Sequence, residues 1–274
     1  MKMNSRFRTA VLIAACVLVT CALSACGKNT RKEKELREQA IGFLEQGDYS
    51  ASVARFNEAL SYHDGAYGKL EIDILRYRAE AEMLADDYET AANTYAQLCR
   101  EDGDKAEYMN LEVICMVRAG KSLVKALELY NKSTEAEPNG TGNRQALYIL
   151  GTALSRSEDP VNVDKAKELY ENALNSEGGK SGELYNRVGT MVFEKGDVDT
   201  ALDWFQQGID FMQNSESTEE ADVLASLKYN VAICYEYKQD YLTAKQLFEE
   251  YEQQYGSNEI IDHEIDFLES RIRE

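Results

Sequence analysis

The strongest constraint on the fold of this chain is a short pattern that recurs six times within its 274 residues. Each copy has a small side chain followed four residues later by an aromatic one, which places both on one face of a helix. Successive small residues are 39, 35, 40, 35 and 43 positions apart. The six pairs are Ser52/Phe56, Ala91/Tyr95, Ala126/Tyr130, Ala166/Tyr170, Ala201/Phe205 and Ala244/Phe248. A period of this length is typical of stacked helical repeats.

The chain around these pairs also has a helical pattern. From residue 33 onwards apolar residues recur at intervals of three and four, and glycines or acidic residues separate the runs. The chain has only two prolines and 44% hydrophobic residues, which favours packed helices over disorder. The sequence therefore predicts an all-α chain. We expect the small residues to let helices approach closely, and each aromatic ring to fill the gap against the next repeat.

The helix that precedes each pair resembles the first helix of the tetratricopeptide repeat, a helix–turn–helix unit of about 34 residues. The matching positions are Leu147, Leu150, Gly151 and Leu154 in one helix and Tyr185, Val188, Gly189 and Val192 in another, and Pro138 stands where the family has a loop proline. Ser52, in place of the usual alanine, departs from the family pattern, as do longer connections at 61–71, 155–162 and 212–222. The resemblance implies an α-solenoid of about six repeats over residues 33–256, with a concave inner face.

The last segment, residues 257–274, is expected to be a helix that caps the final repeat. Its apolar residues lie at helical spacing on one side, and its other side is charged. The stripe consists of Ile261, Ile265, Leu268 and Ile272, widened by Ile260 and Phe267.

The N-terminal residues have the layout of a secretory signal peptide. Residues 1–8 are short and basic, and residues 10–23 are apolar and uncharged, a run too short to span a bilayer comfortably. An uncleaved N-terminal membrane helix is the alternative interpretation. The charge layout and the length of the run favour the signal peptide.

The end of the apolar run, Leu23-Ser24-Ala25-Cys26, resembles the lipobox of bacterial lipoproteins. The resemblance implies that residues 1–25 are removed and that Cys26 is diacylated, and two acyl chains anchor a protein stably. The protein is then expected at the cell membrane, facing the extracytoplasmic side, with residues 26–32 as a short tether. The basic residues Lys28, Arg31, Lys32 and Lys34 either contact anionic lipid or form a solvated part of this tether.

The net charge argues against a nucleic-acid partner, and the cysteine content argues against a disulfide framework. The formal charge of −19 makes nucleic acid an unfavourable partner, because both surfaces are anionic. Cys99, Cys115 and Cys234 remain after the leader and the lipidated cysteine are set aside. They are odd in number and lie within helical patterns, so we interpret them as small buried hydrophobic residues, not as a disulfide framework.

No pattern in the chain indicates catalysis, a metal or a cofactor. His63 lies in a connection and His263 in the last helix, and neither has Cys or His at ligand spacing. The segment 176–183 (SEGGKSGE) superficially resembles a phosphate-binding loop, but its glycine spacing is wrong and no strand precedes it. We expect a turn there. The sequence predicts a protein that is not an enzyme and has no cofactor and no metal.

The tetratricopeptide resemblance implies a binding groove lined by the first helices of the repeats. The residues at groove positions are Arg76, Glu80, Tyr108, Leu111, Arg118, Tyr148, Thr152, Arg156, Asn186, Phe193, Tyr229 and Tyr237. Tyrosine and arginine are favoured interface residues. The three arginines come from successive repeats, which suggests an extended peptide that carries carboxylates. Alternatively, these side chains are ordinary helix-surface residues that partly pack the stack.

Two functions remain compatible with these features. The leading hypothesis is a membrane-anchored extracytoplasmic scaffold that binds a protein or peptide. The alternative is a lipoprotein component of an envelope-assembly or export machine.

Overall fold

The computed structural model describes residues 29–213 and 221–273, and within these ranges every regular element is an α-helix. The helices are α1 (29–45), α2 (Tyr49–Ser61), α3 (Lys69–Leu84), α4 (Tyr88–Asp102), α5 (Ala106–Arg118), α6 (Leu123–Ala136), α7 (Asn143–Ser155), α8 (Pro160–Asn175), α9 (Gly182–Glu194), α10 (Val198–Gln213), α11 (Ala221–Tyr237), α12 (Tyr241–Tyr255) and α13 (Glu259–Ile272). They form six consecutive pairs followed by one further helix, as the repeat pattern predicts.

The recurring small and aromatic residues form the core of the repeats. They lie on the second helix of each pair, and all twelve of these residues are at most 5% exposed. The exceptional Ser52 is accommodated because its hydroxyl donates a hydrogen bond to the carbonyl oxygen of Ala40, 2.9 Å away. A buried hydroxyl without such a partner would be costly. The predicted all-α solenoid of helical pairs is confirmed.

The turns within the pairs explain where the helices end. In four of the six pairs, a residue in the left-handed conformation follows the first helix, and an Asp that caps the second helix comes next. Gly47, with φ of +77°, precedes Asp48, whose carboxylate accepts from the amide of Ala51. Gln239, with φ of +63°, precedes Asp240 in the same way. This cap satisfies an amide that the helix cannot pair.

The helices group into two compact units, one ending at Ala146 and the other beginning at Leu147. The division falls inside α7. Unit 1 thus contains α1 to α6 and the first residues of α7, and unit 2 contains the rest of α7 and α8 to α13. In unit 1, Phe56 packs in a cluster with Leu36 and Ile74, and Tyr95 packs with Leu75.

In unit 2, two aromatic rings lie directly against glycines. A Cβ atom on Gly151 would come within 2.4 Å of the Tyr170 ring, and one on Gly189 within 2.5 Å of the Phe205 ring. Each glycine belongs to the first helix of the same repeat as its ring. The expectation that each ring packs against the next repeat is therefore incomplete, because these rings occupy the space of a missing side chain within their own repeat.

The two ends of the described chain differ from the expectations in detail. Residues 29–32, assigned to a tether, are the first described turn of α1, and Lys32 forms an ion pair with Glu35. Residues 1–28, including Cys26, lie outside the described residues. At the other end, α13 buries Ile261 and Leu268 completely but leaves Ile260, Phe267 and Ile272 exposed. The apolar stripe is thus wider than the face that packs.

The three cysteines of the helical region carry free thiols. Cys115 and Cys234 are buried, as predicted, and Cys99 is half-buried. Burial raises the pKa of Cys99 and of Cys234 to about 11, and that of Cys115 to about 12. These thiols are consequently poor nucleophiles near neutral pH.

Candidate peptide-binding groove

A groove of about 560 Å³ lies between the first helices of two successive repeats in unit 1. Helix α3 supplies one wall and α5 the other, with Tyr95 of α4 beneath them. Four of the predicted groove residues, Arg76, Glu80, Tyr108 and Leu111, line it. These four predicted residues therefore share one concave surface of unit 1.

The groove offers apolar surface to a ligand. Leu84 is 49% exposed, and Met83 and Leu111 are partly buried. Leu84 and Met83 were missed in the sequence, although they continue the helical spacing from Arg76 and Glu80. An exposed leucine in a concave site is the kind of surface that binds an apolar side chain.

Tyr108 has a supporting role, in contrast to the expectation that it contacts a partner. The residue is 1% exposed, and its hydroxyl donates to the Asp102 carboxylate at 2.6 Å. Burial, followed by this hydrogen bond, raises the pKa of Tyr108. The ring therefore forms the floor of the groove and contributes little contact area to a ligand.

Two ion pairs mark the polar part of the groove. Arg76 lies 3.2 Å from Glu107, and Arg37 of α1 lies 2.5 Å from Asp73. Glu80 is exposed and has no ion pair among the described residues. The uncompensated charge of the groove is therefore negative.

The three predicted arginines are not equally available to a carboxylate ligand. Arg156 in unit 2 lies 3.2 Å from Glu194, so it is paired like Arg76. Arg118 stands over the Tyr88 ring, with 5.3 Å between its guanidinium carbon and the ring centroid, and has no acidic partner in the described part of the chain. The ion pairs at Arg76 and Arg156 count against the predicted ligand with several carboxylates.

In unit 2, one arginine that sequence reasoning overlooked covers two predicted groove residues. Arg187 donates to the Thr152 hydroxyl at 2.7 Å and lies 4.7 Å from the centroid of the Tyr148 ring. The Tyr148 hydroxyl is 2.6 Å from the Ser181 hydroxyl oxygen. Ser181 also caps α9, because its hydroxyl accepts from the amide of Leu184. The expected turn between α8 and α9 is present at residues 176–181, whereas Gly182 and Glu183 of the predicted segment already belong to α9.

The remaining predicted residues of unit 2 also contact one another or the core. The side-chain amide of Asn230 donates to Asn186 at 2.7 Å. Phe193 and the exposed Tyr237 pack edge to face with centroids 4.8 Å apart. Tyr229 packs edge to face on Phe248, at 5.5 Å. In unit 2, the contacts thus agree with the alternative interpretation, that these side chains partly pack the helices against one another.

One set of possible metal ligands comes together among the described residues, away from the groove lining. Glu33, His63 and Glu71 each offer one donor atom, and these three atoms lie within 4.8 Å of one another. Burial, followed by the neighbouring Glu71 carboxylate, raises the pKa of Glu33. Sequence reasoning missed this set because it considered only Cys and His as neighbours of His63.

Comparison with known proteins agrees with the repeat architecture. A tetratricopeptide-repeat family profile matches residues 37–107. Curated proteins give no match. The C-terminal part of a TPR repeat-containing protein from Cytophaga hutchinsonii is 15% identical, with a TM-score of 0.61 and coverage of 94% of this chain and 99% of that one.

Two further solved structures share the fold. A tetratricopeptide repeat protein from Parabacteroides merdae is 19% identical, with a TM-score of 0.50 and coverage of 86% of this chain and 84% of that one. PilW, described as a widely conserved type IV pilus biogenesis factor, is 16% identical, with a TM-score of 0.53 and coverage of 86% and 97%.

Residues 37–107 thus match the tetratricopeptide-repeat family, and the described helices share the fold of solved tetratricopeptide-repeat proteins. Such repeats are protein-interaction scaffolds and are generally not enzymes. None of the described helices combines the length and apolar character needed to cross a membrane.

Proposed function

We propose that this chain is a non-enzymatic scaffold that binds a protein or peptide in the groove of unit 1. The observation that carries this proposal is the combination of exposed Leu84 with the unpaired carboxylate of Glu80 in one concave site. An exposed leucine in a concave site is unfavourable in water, and interfaces commonly bury such apolar side chains against the partner.

The charges of the groove favour a ligand that is apolar and basic. Glu107 and Asp73 already have arginine partners, so a ligand carboxylate would compete with them for Arg76 or Arg37. A ligand lysine or arginine would instead pair with Glu80 at no such cost. Its neighbouring apolar side chain would contact Leu84 and Leu111. We therefore replace the carboxylate-bearing peptide expected from the sequence with a segment that combines an apolar and a basic residue.

This ligand chemistry can be tested with two labelled peptides of equal length, one of leucine and lysine and the other of leucine and glutamate. Fluorescence anisotropy with the full-length protein in detergent should detect binding of the basic peptide only. Glu80→Gln should weaken that binding, whereas Glu101→Gln, at an exposed acid outside the groove lining, should leave it unchanged. Equal effects of the two substitutions would show that the peptide is attracted by the net negative charge of the protein and not by Glu80. Preferential binding of the acidic peptide would support the carboxylate-bearing ligand expected from the sequence.

We further propose that lipid on Cys26 holds this scaffold at the extracytoplasmic face of the cell membrane. Support comes from the Leu-Ser-Ala-Cys sequence after a basic and then apolar leader. Because residue 29 already lies in α1, at most two residues separate Cys26 from the first repeat. The binding groove would then work near the membrane surface.

The anchor can be tested with a matched pair of cysteine substitutions. Cys26→Ser should abolish labelling by radioactive palmitate and release the protein from membranes. Cys21→Ser, which alters a cysteine of the predicted leader, should leave both unchanged. A lipid-labelled Cys26→Ser protein would show that the anchor lies elsewhere.

A second candidate function is a component of an envelope-assembly or export machine. The fold similarity to PilW, whose description names pilus biogenesis, makes this alternative specific. Gentle solubilisation of membranes followed by size separation distinguishes the two. A scaffold with a transient peptide ligand should migrate alone, and a machine component should migrate in a large, stable complex.

A further inference from the structure

The donor atoms of Glu33, His63 and Glu71 come from three separate segments of the chain, which meet in the first two repeats of unit 1. Glu33 lies on α1, His63 on the connection between α2 and α3, and Glu71 in the first turn of α3. The Nδ1 atom of His63 is 3.4 Å from Oε1 of Glu71 and 4.0 Å from Oε1 of Glu33. Donors that share a tetrahedral metal ion with bonds of about 2.0–2.1 Å lie about 3.3–3.4 Å apart. One pair already has this spacing.

The histidine ring is oriented as metal-binding histidines are. Its Nε2 atom is 3.0 Å from the carbonyl oxygen of Gly65, which can only accept, so Nε2 must carry the proton. Nδ1 therefore faces the two carboxylates. Donation of the far ring nitrogen to a backbone carbonyl is the usual outer-shell contact that fixes a metal-binding histidine. Gly65 adopts φ of +117°, a conformation that L side chains rarely take.

The carboxylates are held as well. Oε2 of Glu71 accepts from the amide of Gly68 at 2.7 Å, which leaves Oε1 directed at His63. The ring of Tyr67 lies 4.9 Å from that of His63 and covers one side. Glu33 is 3% exposed and Glu71 8%. The site is thus a partly enclosed set of donors on ordered segments.

The cluster brings two buried carboxylates close together, with donor atoms within 4.8 Å of each other. Like charges at this distance repel each other, and a bound cation would relieve the repulsion. Among the described residues, His63 is the only basic side chain within 4 Å of either carboxylate. A divalent ion would neutralise both carboxylates and would bind the Nδ1 lone pair.

We propose that Glu33, His63 and Glu71 form a Zn²⁺ site that fastens α1 to the start of α3. One imidazole and two carboxylates match the ligands of zinc sites with three protein donors, which leave the fourth position to water. Mg²⁺ and Ca²⁺ prefer oxygen ligands throughout, and no thiolate is present to select Cu(I). The site is separate from the peptide groove and does not depend on the proposed peptide ligand.

The test is Zn²⁺ titration of the chelator-treated, full-length protein in detergent, followed by competition with a chromophoric chelator. We expect one Zn²⁺ per chain and a rise in melting temperature on binding. His63→Gln should weaken the affinity at least about 100-fold, since it removes a direct ligand, and Glu33→Gln should also weaken it. His263→Gln is the matched control, because His263 is exposed and its one acidic contact among the described residues is Glu264. Equal affinity in His63→Gln and wild type would overturn the site.

A second measurement does not depend on the folding of the variants. X-ray absorption of the Zn²⁺-loaded wild-type protein should show one imidazole, only nitrogen and oxygen ligands at about 2.0–2.1 Å, and no sulfur. A shell of oxygen alone would assign the metal to the acidic surface, and a sulfur ligand would assign it to a cysteine. Either result would contradict the proposal.

Discussion

The first helices of the repeats present different surfaces in the two units. In unit 1, α3 and α5 leave Leu84 and Glu80 exposed in a groove. In unit 2, Arg187 covers Tyr148 and Thr152, which occupy groove positions of the same family. The backbone plan is shared, so the difference arises from side chains.

This difference shows that a repeat pattern determines where a binding face can lie, but not whether it is free. The long side chain of Arg187 donates to the Thr152 hydroxyl and stacks on the Tyr148 ring. It thereby covers the surface that a ligand would contact. In unit 1, the shorter Glu80 extends from α3 without such a partner among the described residues. The proposed binding function therefore concerns unit 1.

The units also differ in how closely their helices pack at glycine. Substitution of these glycines is expected to have the largest effect on the free energy of unfolding. Gly189→Ala places a methyl group against the Phe205 ring and should lower the free energy of unfolding by about 1–3 kcal/mol. Gly42→Ala, in α1 of unit 1, meets nothing within 4 Å and should raise it by about 0.5–1 kcal/mol. Urea unfolding followed by circular dichroism measures both. The same sign for both would contradict the packing described for unit 2.

A partly buried carboxyl, that of Glu112, gives unit 1 a specific response to pH. Burial is the main cause that raises the pKa of Glu112 to about 7, opposed by Arg100. The protonated form thus stabilises the fold at low pH, and this contribution is lost as pH rises through 7. Glu112→Gln should stabilise the protein by about 1–3 kcal/mol at pH 8 and by much less at pH 5. An equal gain at both values would show that Glu112 does not titrate in this range, and exposed Glu101→Gln serves as the control.

The closed face of unit 2 can be opened by removing the side chain that covers it. Arg187→Met loses the bond to Thr152, the contact with Tyr148 and the ion pair with Glu183, so we expect a cost of about 1–2 kcal/mol. Arg118→Met in unit 1 removes only exposed contacts with Tyr88, a stack on its ring and a long hydrogen bond of 3.4 Å to its hydroxyl, and should cost less than about 0.5 kcal/mol. Thermal melts of the two variants give the comparison. Equal costs would mean that Arg187 does not hold its face closed.

The repeat positions were predictable, whereas the contacts between them were not. The small and aromatic residues recur within each repeat, so local spacing alone indicated the six helix pairs. The ion pair of Arg76 with Glu107 joins residues 31 positions apart. In a chain with 49 acidic residues, no pattern singles out that partner. The same abundance of acids concealed Glu33 and Glu71 as neighbours of His63.

The central claim, that the first helices of unit 1 bind a ligand and those of unit 2 do not, is tested most directly by amide hydrogen exchange. The leucine–lysine peptide should slow exchange in α3 and α5, where the groove lies, and Glu80→Gln should reduce that protection. The first helices α9 and α11 of unit 2 should exchange as they do without peptide. Protection confined to α9 and α11, or absent from α3 and α5, would contradict the assignment of binding to unit 1.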